Sequence, residues 1–243
     1  MRPLAFAAAL LASPAIAADC RDLTFDGASY TACRIDPAAE DIRLWLRDDT
    51  GRILGTFDRV NGELAAEGLR LGLAMNAGMY HQDRRPVGLY VENGVEAAPL
   101  VTRAGPGNFG MLPNGVLCLG GEGRAAVIET RSFAAAPPPC RFATQSGPML
   151  VIDGALHPRF IPGSDFRNIR NGAGVAEDGT LWLVISNEPV NFHDFARLFR
   201  DELGTPDALY LDGSVSRLLR ADTGRHDRGL PLGPIIGTAV PAD

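Results

Sequence analysis

Residues 191–216, NFHDFARLFRDELGTPDALYLDGSVS, hold in one run the three pieces from which the fold is read: a helix, a strand and a polar elbow. Asn191 is a natural N-cap, because its short side chain can accept from a free amide of the first turn. Phe192, Phe195, Ala196, Phe199 and Leu203 then recur at i, i+3 and i+4 to make one apolar face, and Gly204 follows as the C′ stop. The strand-like run from Asp207 ends in Leu211-Asp212-Gly213-Ser214-Val215-Ser216, where glycine permits a tight turn and Asp and Ser supply hydrogen bonds. Two further apolar runs end in the same way, LGLAMNAGMY at Asn76-Ala77-Gly78 and FATQSGPMLV at Gln145-Ser146-Gly147-Pro148. Any one of these is an ordinary turn. Three together, each with its polar residue at the mouth of an apolar run, are read as one site on a rigid scaffold.

Outward from these elbows the patterns are those of hairpins. IRLWLRD and RILGTF flank a turn at Asp48-Asp49-Thr50-Gly51, PVGLYVENGV turns at Asn93-Gly94, residues 105–119 turn at Asn114-Gly115, and GAGVAEDGTLWLVISN turns at Asp178-Gly179. Residues 69–75 read as a buried strand, and the prolines at 137–139 as a stiff connector within one domain. Trp45 and Trp182 fall inside strand patterns and are assigned to the core. Many strands with one clear helix, residues 191–203, predict an α+β fold of mixed or antiparallel β-sheets with few helices.

Residues 1–17 read as an export signal: Arg2 as the basic region, an apolar run from Leu4 to Leu11, and the small-residue cleavage site Ala15-Ile16-Ala17. A single mature domain over 18–243 and a periplasmic or secreted address are the expectation. No stretch approaches the roughly 20 apolar residues of a transmembrane helix. Cys20, Cys33, Cys118 and Cys140 are even in number in an exported chain, which favours two disulfides. Of the three possible connectivities, Cys20 with Cys33 and Cys118 with Cys140 close short loops and are preferred. Neither a CxxC nor an HExxH occurs, so no metal site or cofactor is expected. All 23 basic residues are arginine, which excludes P-loop, Schiff-base and Ser-Lys chemistry. The net charge of −6 argues against a nucleic-acid partner.

The elbows carry a resemblance. From about Leu71 to Leu218 the chain resembles the phosphodiester glycosidase family, on five elements: Asn76-Ala77-Gly78-Met79-Tyr80; Pro86, Gly88 and Gly94; Gln145-Ser146-Gly147-Pro148; Arg170-Asn171-Gly172-Ala173-Gly174; and Leu211-Asp212-Gly213-Ser214-Val215-Ser216. It departs from the family at Asn171, where threonine is usual, and at Ser214 and Val215, which replace two glycines. Residues 185–188 also lack the Asp-Gly that often closes the preceding strand. The resemblance implies an exported hydrolase acting on a sugar-1-phosphodiester, with a small-molecule or glycan phosphodiester as substrate. A non-catalytic module binding a glycan or phosphorylated ligand in the same cleft is the alternative.

Such a reaction needs a carboxylate near the anomeric carbon, an anion clamp and donors for the sugar hydroxyls. Asp212 is the leading carboxylate, as base for water or as stabiliser of oxocarbenium-like charge, unless it serves only as an Asx-turn for its own loop. Glu188, at the end of a strand, is preferred to Asp165 as the second. Arg170 is expected to grip the phosphate with its planar fork, aided by Arg167. The amides of Gly78 and Gly147, with Ser146, would complete an anion nest. Asn76, Gln145, Asn171, Gly213, Ser214 and Ser216 are expected to orient substrate, with His81 on the rim. His193, near the start of the helix, is assigned to the surface. Ser146 lacks the surroundings of a nucleophile.

Overall fold

The computed structural model describes residues 18–212 and 215–242. Among them, every strand pair is antiparallel, and the strands form three sheets. The seven-stranded sheet runs in the order β1 (Asp19–Phe25), β2 (Ala28–Ile35), β13 (Leu181–Ser186), β12 (Asn171–Val175), β14 (Asp207–Tyr210), β10 (Met149–Ile152) and β11 (Ala155–Leu156). A five-stranded sheet runs β16 (Arg225–His226), β15 (Leu218–Arg220), β4 (Leu69–Asn76), β17 (Ile235–Pro241) and β3 (Asp41–Trp45). The third, also of five strands, runs β6 (Val95–Ala98), β5 (Tyr90–Glu92), β9 (Cys140–Ser146), β7 (Gly115–Gly120) and β8 (Ala125–Glu129).

The inner faces of all three sheets meet in one core. Cys33, Ile35, Leu183 and Ile185 come from the first sheet, Leu44, Leu73 and Ile236 from the second, and Leu117, Leu119 and Phe142 from the third. Successive side chains of a strand point to opposite faces, so in β2 the residues between, Tyr30 and Ala32, face outward and must be covered by something else. Each outer face is covered by a helix. Phe195 and Ala196 of α3 (Phe192–Arg197) pack on Tyr30, Ala32 and Val184. Phe57, Val60 and Leu64 of α1 (Phe57–Ala65) pack on Leu71, Ala74 and Leu219. Phe133 of α2 (Thr130–Ala135) packs on Val116, Cys118 and Ala143. Helices this short do not persist alone in water. Burying three large apolar side chains, at about 1.5–3 kcal/mol each, holds α1 in place.

The helix expected over 191–203 forms, with Asn191 accepting from the Asp194 amide at 2.8 Å. Its second half widens into a π-helix, Leu198–Glu202, before Gly204 stops it at a φ of 63°. Two expectations are corrected. RILGTF forms only a short second arm: the turn at 48–51 closes, Ile53 bridges Arg47 and the Leu54 amide donates to Leu46 O at 2.9 Å, but Thr56 then caps α1, its hydroxyl accepting from the Arg59 amide at 3.3 Å. Asn114-Gly115 is not a turn either. Asn114 is buried and donates its side-chain amide to Phe109 O at 2.9 Å, which fastens a loop over 105–113, and Gly115 begins β7. The helices α1 and α2 are additions to the one expected.

Both preferred disulfides form. Cys20 and Cys33 face each other across β1 and β2, while Cys118 and Cys140 join β7 to β9. No helix among the described residues is long and apolar enough to cross a membrane. The proposed signal, residues 1–17, lies outside the described residues.

Candidate functional site

The site lies where strands from the three sheets end side by side. Asn76 is the last residue of β4, Ser146 the last of β9, Asn171 the first of β12, and Asp212 follows β14. All but Asp212 are fully buried, and a buried amide or hydroxyl must find partners or cost stability. Here they partner each other. Asn171 donates its side-chain amide to Asn76 O at 2.8 Å, and its Oδ1 accepts from the Asp212 amide at 3.1 Å and from Asn76 Nδ2 at 3.3 Å. Asn76 Oδ1 accepts from the Arg217 amide at 3.0 Å. The Ser216 hydroxyl donates to Asp212 O at 2.7 Å, and the Ser146 hydroxyl donates to Leu211 O. The three elbows are therefore one hydrogen-bonded knot, with Asp212 held in it through its own backbone amide and carbonyl.

The glycines of these elbows serve close packing. A Cβ on Gly78 would lie 2.3 Å from Thr144 Oγ1 and 2.5 Å from Gln145 O, and one on Gly147 would lie 2.6 Å from the Asn114 Cβ. The Gly78 amide already donates to Thr144 Oγ1 at 3.2 Å, so it is not part of an anion nest. Gln145 is likewise committed. Its Oε1 accepts from the Leu89 and Val101 amides, each at 3.0 Å, and its Nε2 donates to Val101 O at 2.7 Å and Thr130 Oγ1 at 3.1 Å. No capacity is left for a sugar.

Arg170 departs furthest from expectation. It precedes Asn171 on the same strand path, so the two side chains point to opposite faces. Asn171 enters the knot; Arg170 enters the helix-covered face and is wholly inaccessible. Its guanidinium lies 3.6 Å from the centre of the Phe192 ring, with Phe166 and Tyr210 each at 5.6 Å. Nε donates to Val190 O at 2.8 Å and Nη2 to Phe166 O at 3.1 Å. Burial pulls its pKa below the usual arginine value, yet nothing from solvent reaches it to be clamped.

Glu188 and Arg167 also belong elsewhere. They line a depression of about 280 Å³ with Tyr30, Val190 and Asp194, residues of the face that α3 covers, and Glu188 Oε1 accepts from the Ser29 amide at 2.9 Å. His193 pairs with Asp194 at 3.3 Å on α3, and His81 is exposed in the turn after the first elbow. Trp45 is in the core, and Trp182 is half-buried under Arg21. Gly213 and Ser214 lie outside the described residues.

Beside the knot opens a cleft of about 780 Å³, lined by Ser216, Arg217, Arg225, Asp227 and Arg228 among others. None of these arginines stood out in the sequence, although Arg217 directly follows the third elbow. Tyr80, the last residue of the first elbow's element, has no role legible in the sequence. Its hydroxyl is buried with no well-formed hydrogen bond, although the Gly233 amide lies near. Burial foremost, and then the Asp212 charge, push the phenol up to about 12. That coupling puts the Asp212 carboxylate within electrostatic reach of Tyr80. Among the described residues, no three His, Cys, Asp or Glu side chains are grouped to hold a metal ion.

Residues 70–231 match the model of the phosphodiester glycosidase family. The chain belongs to that family. It is 31% identical over 218 residues to YigE, an uncharacterised protein of Escherichia coli K12, covering 90% of this chain and 85% of YigE. The catalytic domain of zebrafish N-acetylglucosamine-1-phosphodiester alpha-N-acetylglucosaminidase, solved in a form auto-inhibited by its pro-peptide, has a similar fold. The TM-score is 0.61 at 13% identity, over 94% of this chain and 85% of that one. A hypothetical protein from Synechocystis gives a TM-score of 0.57 at 15% identity over 92% of this chain, which spans only 62% of that protein. Family membership supports a glycosidase-type hydrolase, and at these identities the two solved structures speak for the fold.

Proposed function

We propose that this protein is an exported hydrolase that cleaves a sugar-1-phosphodiester on an envelope or exogenous glycoconjugate. One observation carries the reading: the three elbows of a phosphodiester glycosidase meet in one knot that holds Asp212 beside an arginine-lined cleft. In the reaction the bond between the anomeric carbon and the phosphate oxygen breaks, and the sugar takes a hydroxyl from water. The phosphate leaves with the bonding electron pair as a phosphomonoester, a good leaving group that needs little acid help. Asp212 either takes the proton of the attacking water or stabilises the positive charge that builds on the ring. Asn76, Asn171, Ser146 and Ser216 position it through backbone contacts, which pre-organises the carboxylate before substrate arrives. The two disulfides suit an oxidising compartment.

Asp212→Asn keeps the size of the side chain and every backbone hydrogen bond of the knot, and removes only the charge. Release of free sugar from a panel of sugar-1-phosphodiesters should fall by about 10²-fold or more, while the melting temperature holds. Retained turnover in this variant would reduce Asp212 to a turn residue. Binding without any turnover by the wild type would support the alternative of a ligand-binding module, in keeping with the replacement of two family glycines by Ser214 and Val215.

A further inference from the structure

Arg217 is anchored at its backbone and unengaged at its head. Its amide donates to Asn76 Oδ1 at 3.0 Å, which fixes the residue to the knot, and its side chain runs inward until the residue is only 8% exposed. Yet the guanidinium makes no hydrogen bond or ion pair with the described residues. A buried charge of this kind costs several kcal/mol unless something neutralises it. No neighbour among the described residues does so by direct contact, although Tyr80 favours the charged form from nearby. Asp227 lies close enough to favour the charged form, but both its oxygens are committed: Oδ1 accepts from Arg225 Nε at 3.1 Å, and Oδ2 from Arg225 Nη2 and the Leu218 amide, each at 3.0 Å. Arg225 is thereby spent as well, its Nη1 donating to Asn187 Oδ1 at 2.9 Å.

The guanidinium is packed on one side and borders the cleft. Gly229 packs closely against it: a Cβ there would be 2.5 Å from Nη2 and 2.8 Å from Cζ, so only a glycine fits on that side. Arg217, Asp227 and Arg228 form the wall of the cleft, and Arg228 adds an exposed positive charge at its mouth. Tyr80 feels Asp212, which raises its pKa, and Arg84 and then Arg217, which lower it. One phenol therefore has the elbow carboxylate and the unengaged arginine as neighbours.

Resting on the function proposed above, we infer that Arg217 is the anion receptor of this site, taking the two non-bridging oxygens of a phosphodiester through its planar fork. Arg170, the residue first expected in this role, is enclosed by aromatic rings on the far face of the sheet. A phosphodiester monoanion seated on Arg217 would satisfy the guanidinium that the protein leaves bare and would set its sugar ester beside Asp212. Bidentate contact suits a fork and a phosphate.

Dimethyl phosphate, a phosphodiester without a sugar, is the probe, with inorganic phosphate and acetate beside it, titrated calorimetrically into the whole mature protein. Wild type should bind dimethyl phosphate and inorganic phosphate more tightly than acetate. Arg217→Gln should weaken phosphodiester binding by about 30-fold or more, and Arg217→Lys, which keeps the charge and loses the fork, by roughly 10-fold. Arg103→Ala, an exposed arginine in a loop, removes the same charge and should change nothing. Gly229→Ala, which crowds the fork, should weaken binding even if Arg217→Gln fails to fold. Equal binding by wild type and Arg217→Gln, no binding of either phosphate by wild type, or equal binding of acetate would each overturn the assignment. If wild type binds through Arg217 but turns over no sugar-1-phosphodiester, Arg217 keeps its role and the hydrolase reading fails. If turnover proceeds and ignores Arg217→Gln, the hydrolase reading stands and this inference falls.

Discussion

Arg170 and Arg217 are both buried arginines within a short reach of the same knot, and they have opposite surroundings. Arg170 lies against Phe192 with Phe166 and Tyr210 about it and donates to two carbonyls. Arg217 lies against a bare glycine, its guanidinium donates to nothing among the described residues, and it borders a cleft. In the first case the protein has spent its own groups on a cation that fastens the loop over 166–170 and the segment at Val190 to the helix face. In the second it has left a cation for a guest. Burial alone does not separate a structural arginine from a binding one; the inventory of partners does.

That contrast can be broken by stability measurements. Arg170→Gln should cost about 3 kcal/mol, because Val190 O and Phe166 O lose their donor inside the protein. For a chain of this size, that is roughly 6–12 °C in melting temperature. Arg217→Gln should leave the unliganded protein within about 1 kcal/mol of wild type, or more stable, since it removes an uncompensated buried charge. If both variants lose stability alike, Arg217 is structural and the contrast is gone.

A smaller loss is expected on the knot side of the same strand. Asn171→Ala takes the donor from Asn76 O and the acceptor from the Asp212 amide, and should cost about 2 kcal/mol in denaturant unfolding. A cost near zero would mean that water replaces the amide there, and that the knot does not pre-organise Asp212.

The smallest effect is a pH dependence on the helix face. His157 is 2% exposed and stacks on Phe160 at 4.8 Å, with Nδ1 accepting from the Arg159 amide at 3.2 Å. Burial holds its pKa below the usual 6.5. Below that value the unfolded chain takes up the proton first, so this residue's contribution is present above pH 6.5 and is lost as the pH falls towards the folded value. Between pH 7 and pH 5 the wild-type melting temperature should fall by a few degrees more than that of His157→Gln. Parallel slopes would remove His157 from the account.

The sequence was most legible where a local rule acts alone. Asn191 capped its helix, and Asn93-Gly94 turned its hairpin with φ of 51° and 78°. The gathering of the elbows was legible too, because a polar residue at the end of an apolar run must be partnered when buried. Two things were hidden. Asn114-Gly115 has the letters of a turn, but a tertiary hydrogen bond to Phe109 O claimed Asn114 first. The second was direction. Arg170 and Asn171 are neighbours in a motif, and only the period of two in β12, once its register with β13 and β14 is known, sends one to each face. Arg217 was passed over because a charged residue after a polar turn reads as solvated surface; its burial owes to the close approach of Gly229, beyond β15 and β16.

The fit of Gln145 against Gly88 carries a different lesson, about inheritance. Gln145 Oε1 would stand 2.2 Å from a Cβ at position 88, and the same side chain closes hydrogen bonds to Leu89, Val101 and Thr130. A mutation that enlarges residue 88 meets the amide, and one that shortens residue 145 strands three segments at once. Neither step is open alone. Among descendants of this gene the two positions should drift together or not at all, so a glycine and a glutamine 57 residues apart form a single unit of variation.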